Sequence, residues 1–226
     1  MSRASRVWNA LNVVVVVVAL VVQIPITAAA ASTTFHTPAA RVANLFSFFT
    51  ILTNIIVAVV CVLLVIDPAR RSTLVRTLHL DALVGIIVTG IVYHTVLAGL
   101  NDFHGAEWFA DLLWHTVSPI VFVVGWLLFG PRGLVSGRVI ALSAIYPLAW
   151  LVFTLVRGAV INWYPYPFVT VTTLGYGQVA LNCLVVTALF LGLAGVVLAI
   201  DRLLGRSSRT PALGAAAEEP VTGSGV

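Results

Sequence analysis

Six separate stretches of this chain are apolar over about 20 residues each, the length an α-helix needs to cross the hydrocarbon of a bilayer. They lie at about 7–29, 44–66, 78–99, 110–129, 138–158 and 176–200. Hydrocarbon offers no partner for a backbone N–H or C=O, so a spanning segment is either a helix or a strand of a closed barrel. Continuous apolar runs of this length, without strict alternation, read as helices. The fold class is therefore all-α: an integral membrane bundle of six transmembrane helices occupying residues 1–204. Short connections make consecutive helices antiparallel neighbours.

Composition agrees with this reading. Of 226 residues, 60% are apolar and 9% charged, against about half and a quarter in soluble domains. No polar stretch is long enough for a separate soluble domain. The first apolar run exceeds the 7–15 residues of a signal-peptide core and is read as a span. From Gly205 onward, "GRSSRTPALGAAAEEPVTGSGV" has no apolar face, so residues 205–226 are expected to form a disordered cytoplasmic tail.

Orientation follows from the arginines, which supply all 12 basic residues. Arg3, Arg6, Arg70, Arg71, Arg76, Arg132, Arg138, Arg202, Arg206 and Arg209 fall on one side of the six spans, and Arg41 and Arg157 on the other. Cytoplasmic loops carry the excess of Lys and Arg, so both termini are expected in the cytoplasm. The absence of Lys points to a GC-rich coding sequence and a bacterial cytoplasmic membrane. The net charge of +4 is scattered over short loops rather than gathered into a patch, so no nucleic-acid partner is implied. The partners expected are membrane lipids, and a homo-oligomer is left open. Cys61 and Cys183 sit inside apolar segments as buried thiols, with no CxxC or Cys/His metal spacing and no cofactor implied.

Polar residues inside such spans are costly and mark function by default. At 1.5 Å per helical residue, Thr50 in the second span, His94 in the third and His115 in the fourth all lie about 8–9 Å below the outer surface. Asn54 shares the face of Thr50, four residues on, while Thr53 lies off it as a second, less favoured hydroxyl. Asp111 precedes His115 by four and is placed to hold one imidazole nitrogen. Pro119 follows His115 by four and removes the N–H that would bond its carbonyl, which predicts a kink or a freed carbonyl there. Arg157 and "NWYPYP" (162–167) would form a polar, aromatic rim on the same side. Each residue also has a plainer use. Thr and Asn glue helices together, an acidic residue suits a helix start, and Trp108, Trp114 and Trp163 suit an interfacial belt.

"FSFFTILTN" in the second span and "WHTVSPI" at the head of the fourth resemble the androgen-induced gene family of six-helix membrane proteins, and more closely its bacterial Pr-six-Pr relatives. The resemblance covers the second to sixth helices, including "WYP" (163–165) before the last. Animal members are threonine hydrolases of branched fatty-acid esters. The resemblance implies Thr50, in Phe48-Phe49-Thr50, as nucleophile, and His115, in the His-Thr-x-x-Pro pattern ending at Pro119, as base. This chain departs from the animal pattern at Thr53-Asn54 and in carrying His94, which leaves Thr53 open as an alternative nucleophile.

The expected chemistry is hydrolysis of a lipid or fatty-acyl ester. His115 would take the Thr50 proton, Asp111 would orient His115, and Asn54 and His94 are the candidate donors to an oxyanion. Two other readings stand beside it. His94 and His115 could ligate a haem or metal from sequential helices. Alternatively, six helices suffice for a small transporter or accessory membrane protein.

Overall fold

The computed structural model describes residues 2–67 and 69–207, with backbone only for Arg206 and Ser207. The first span is α1 (Arg3–Ala29), opened by Ser2, whose hydroxyl accepts the Ser5 N–H at 3.2 Å. A short α2 (Pro38–Leu45) starts on a Thr37 cap with Pro38 at its first position, where the missing proline N–H costs nothing. After a turn at Phe46–Phe48, α3 (Phe49–Ile66) forms the second span. The third joins α4 (Thr73–Val92) to a π-helical turn at Tyr93–Leu97. The fourth joins α5 (Ala106–Leu112), a second π turn at Leu113–Val117 and α6 (Ser118–Phe129). The fifth is α7 (Gly137–Ser143) followed at Ala144 by α8 (Ile145–Ile161). The sixth is α9 (Val171–Ser207), kinked at Gly175, whose φ of 74° favours glycine. All six are long and apolar enough to cross a membrane, and no strand occurs among the described residues.

The second span departs most from its expected limits. Its spanning helix begins at Phe49 rather than near Asn44, because Ser47 turns its hydroxyl back to the Asn44 carbonyl (2.6 Å) and the Ser47 carbonyl accepts from Trp150 Nε1 (2.9 Å). Thr50 therefore stands in the first turn of α3 instead of two turns down. At the other end of the chain α9 runs to Ser207, so Gly205–Ser207 are helical rather than tail. The remainder of the expected tail, 208–226, lies outside the described residues. Cys61 is buried as expected, but Cys183 is only half-buried. Trp114 is not a belt residue: it is 2% exposed and donates to Gln23 Oε1 at 3.3 Å. The expected irregularity before Pro119 is the π turn at Leu113–Val117.

The third span is the centre of the bundle. Every residue from His79 to Ile86 is buried, the pattern of a helix covered all round. Its apolar residues pack with Val57, Val60 and Cys61 of α3, Phe122 and Trp126 of α6, and Phe190 and Ala194 of α9. Without a hydrophobic drive between helices in lipid, such contacts depend on close approach at small residues. Gly85 is one: a Cβ there would lie 2.9 Å from Thr53 Cγ2 across the α3–α4 contact. The outer faces of α1, α8 and α9 expose Val, Leu, Ile and Phe to the surroundings, as a lipid-facing surface does.

The two ends of the bundle differ. At one, Asp201 of α9 is 1% exposed and accepts the Gly133 and Val135 N–H groups at 2.9 and 3.0 Å, while Arg71 donates to the Arg132 carbonyl. At the other, Arg41 donates to the Ala28 and Phe35 carbonyls and closes the loop after α1. We expect Gly85→Ala to lower stability by about 1–3 kcal/mol, the cost of overpacking. Gly177→Ala, with nothing within 4 Å of its Cβ and a helical backbone, should be neutral or stabilising by up to about 1 kcal/mol. Thermal melts of the two variants in one detergent check this.

Candidate active site

A helix leaves its first N–H groups without intrahelical partners, and α3 opens on Phe48, which has no side-chain oxygen to cap them. Tyr166, from the loop between α8 and α9, supplies the oxygen instead. Its hydroxyl accepts the Thr50 N–H at 3.2 Å. The same hydroxyl lies 3.3 Å from Thr50 Oγ1. The ring is held by stacking on Phe168 and by an edge contact with Phe48. Burial raises the Tyr166 pKa above the ordinary tyrosine value, with the Thr50 and Phe49 hydrogen bonds pulling the other way. The phenol therefore keeps its proton at neutral pH.

On its other side Thr50 faces His115, on the π turn of the fourth span. Thr50 Oγ1 and His115 Nε2 are 3.4 Å apart. His115 Nδ1 is 3.0 Å from Asp111 Oδ1 and 3.1 Å from the Asp111 carbonyl. Both acceptors require Nδ1 to carry the proton, which leaves Nε2 as an acceptor aimed at the Thr50 hydroxyl. Tyr93 completes the arrangement: its ring stacks on the imidazole at 4.0 Å and 10°, and its hydroxyl donates to Asp111 Oδ2. Thr50, His115 and Asp111 thus form a continuous hydroxyl–imidazole–carboxylate chain across two spans, and Tyr93 clamps it from a third.

The other sequence candidates lie around this chain rather than in it. Asn54 is fully buried and spends its amide on the Thr50 carbonyl (2.9 Å) and the Trp114 carbonyl (3.4 Å), tying the second span to the fourth. Arg157 donates to Asn44 Oδ1 at 2.8 Å and to Ser47 Oγ at 3.5 Å, and lies 5.3 Å from the Trp163 ring centre. It braces the turn before Thr50. His94 is exposed and pairs with Thr116 Oγ1 at 3.1 Å. It shares a level with His115 but not the site. With both nitrogens of His115 engaged within the chain and His94 bound to Thr116, the two imidazoles do not face a common ligand position. Thr53 is 0% exposed and bonds Tyr146 at 2.8 Å, without a base.

Two cavities meet at Thr50. One, of about 490 Å³, is lined by Thr50, His115, Asp111, Asn44, Arg41 and Trp163. The other, of about 230 Å³, is lined mainly by apolar side chains of α4, α8 and α9, among them Val88, Val92, Leu148, Val186 and Phe190. Thr50, Leu97 and Tyr166 line both. A hydroxyl with an oriented base, where a cavity lined by both polar and apolar side chains meets a nearly wholly apolar one, has the groups needed for attack on an acyl carbon.

Sequence reading missed Tyr93 and Tyr166. Tyr93 had a signal: "YHT" (93–95) and "WHT" (114–116) are the same aromatic-His-Thr pattern on two spans. In the structure the patterns face each other one residue out of step, so Tyr93 meets His115 and His94 meets Thr116. Tyr166 had none, since a tyrosine in a Pro-rich turn reads as rim. Removing the brace should loosen the head of α3. We expect Arg157→Leu to cost about 1–3 kcal/mol, as for hydrogen bonds to a charged group, and to speed hydrogen exchange at Ser47 and Phe48, read by mass spectrometry of that segment.

The chain matches no protein-family model, no curated protein and no solved structure.

Proposed function

We propose that this multi-pass membrane protein hydrolyses fatty-acyl esters, with Thr50 as nucleophile and His115 as base. The observation that carries the reading is the chain from Thr50 Oγ1 through His115 Nε2 and Nδ1 to Asp111 Oδ1, lying where a cavity of mixed lining meets an apolar one. His115 Nε2 takes the Thr50 proton as Oγ1 bonds to the carbonyl carbon. The carbonyl oxygen becomes an oxyanion, and collapse breaks the bond to the leaving alkoxide, which receives the proton from His115. Water, activated by the same imidazole, then releases the acid and restores Thr50. Asp111 stabilises the imidazolium formed in each half-reaction.

The apolar cavity suits a hydrocarbon chain, and the lipid-facing surface of the bundle suits a substrate that arrives within the membrane. The resemblance to the androgen-induced gene family and its Pr-six-Pr relatives supports the same two residues in the same roles. The excess of arginine at the end opposite the site supports cytoplasmic termini and a site in the outer leaflet of a bacterial cytoplasmic membrane.

A fluorophosphonate probe tests the nucleophile directly. Wild type and Thr53→Ala should label, and Thr50→Ala should not. His115→Ala should label about 10²–10⁴-fold more slowly, the usual contribution of a general base. Asp111→Asn, which preserves size but not charge, should slow labelling by up to about 10⁴-fold. Unlabelled wild type that melts cooperatively would overturn the reading.

A further inference from the structure

The reaction needs a donor for the oxyanion, and the two residues that sequence suggested do not supply one. The Asn54 amide is committed to two backbone carbonyls, and His94 lies outside the cavity that holds Thr50. We propose that Tyr166 is the oxyanion donor, its phenol oxygen held by the head of α3 and its proton turned toward the reacting centre. This rests on the reading of Thr50 as nucleophile.

The geometry is specific. The phenol oxygen accepts from the backbone N–H of Thr50, so it turns a lone pair to the helix head. Its own proton then points away from that head. Thr50 Oγ1, at 3.3 Å, is the side-chain oxygen within its reach. Before reaction the proton of Thr50 goes to His115, and that of Tyr166 to Thr50. When Oγ1 bonds to an acyl carbon it becomes an ester oxygen and a poorer acceptor. The new oxyanion forms on the carbon attached to it, and the Tyr166 proton transfers its hydrogen bond there. No bond to Tyr166 forms or breaks, so the step balances as written for Thr50 and His115.

The helix head strengthens this donor. The positive end of the α3 dipole, delivered through the Thr50 N–H, polarises the phenol. Burial keeps the phenol protonated, as a donor must be. Tyr166 also lines both cavities, and its hydroxyl lies 3.3 Å from the attacking oxygen, near where an ester spanning them would put its carbonyl. Preorganised donors of this kind act on charge that develops only in the transition state and therefore change kcat rather than KM.

The test is steady-state hydrolysis of p-nitrophenyl acyl esters by the purified full chain in lipid nanodiscs. Tyr166→Phe removes the hydroxyl and keeps the ring contacts. It should lower kcat by about 10²–10³-fold, the loss typical of one oxyanion donor, with KM within about twofold. Tyr164→Phe, in the same loop, should match wild type. If Thr50→Ala is inactive while Tyr166→Phe keeps its kcat, or raises KM alone, the donor role is overturned and the Thr50 reading survives. Activity that persists in Thr50→Ala, or an inert wild type, overturns both. Should Tyr166→Phe lose its cooperative melt, 3-fluorotyrosine at 166 retains the hydroxyl and lowers its pKa. The alkaline limb of kcat should then move to lower pH, and an unmoved limb counts against the proposal.

Discussion

Hydrocarbon supplies no hydrogen bonds, so each place where a spanning helix leaves its regular ladder must be answered by a side chain. Apart from the break at Ala144 in the fifth span, the departures in this bundle gather at the end that carries Arg41 and Arg157. The turn at Phe46–Phe48 exposes the Ser47 carbonyl, taken by Trp150, and the head of α3, taken by Tyr166. The π turn at Leu113–Val117 frees the Trp114 carbonyl, which Asn54 reaches. These repairs bring polar side chains from the second, fourth and fifth spans, and from the loop before the sixth, to one level. The cluster around Thr50 is thus a consequence of irregular backbone as much as a cause of it. At the opposite end the connection after α6 needs less: Asp201 alone answers Gly133 and Val135.

The two π turns explain why two similar motifs have different uses. An inserted residue rotates the following side chains relative to the helix before it. Both aromatic-His-Thr patterns begin at or beside such a turn, at Tyr93–Leu97 and Leu113–Val117. Facing each other with a one-residue offset, they cannot place both histidines on Thr50. His115 points inward and is fixed from three directions by Asp111, Tyr93 and Thr50. His94 takes the outer position and links the third span to the fourth through Thr116.

Much of this was readable from the sequence, for physical reasons that also mark the limits. Spans are set by apolar length, and all six were visible. The start of the second was not, because "FSFF" is as apolar as the helix it precedes and the turn depends on Arg157 and Trp150, more than 100 residues away. Depth counting placed Thr50 and His115 at one level, and the i,i+4 spacing placed Asp111 on His115. Depth alone says nothing of azimuth, so His94 looked equivalent to His115. Asn54 was on the right face, but its amide turned to backbone carbonyls. Tyr166 sits on a loop whose path is fixed by aromatic packing with Phe48 and Phe168, which no local pattern reports.

The choice between two threonines shows how position outweighs residue type. Thr50 and Thr53 lie on the same helix, less than a turn apart. Thr53 is sealed against Gly85 and Tyr146, where a charge would find neither a base nor water. Thr50 occupies the first turn, where N–H groups without intrahelical partners and the helix dipole favour negative charge by about 0.3–2 kcal/mol. It also borders both cavities. The proposed ester hydrolysis in a membrane would have two conflicting needs, water for deacylation and hydrocarbon for the chain. A hydroxyl buried deeper in the bundle would meet only the second need, and one on the outer loops only the first. The head of a spanning helix, opened by a turn and roofed by Tyr166, meets both, and Thr50 is the threonine of α3 that stands there.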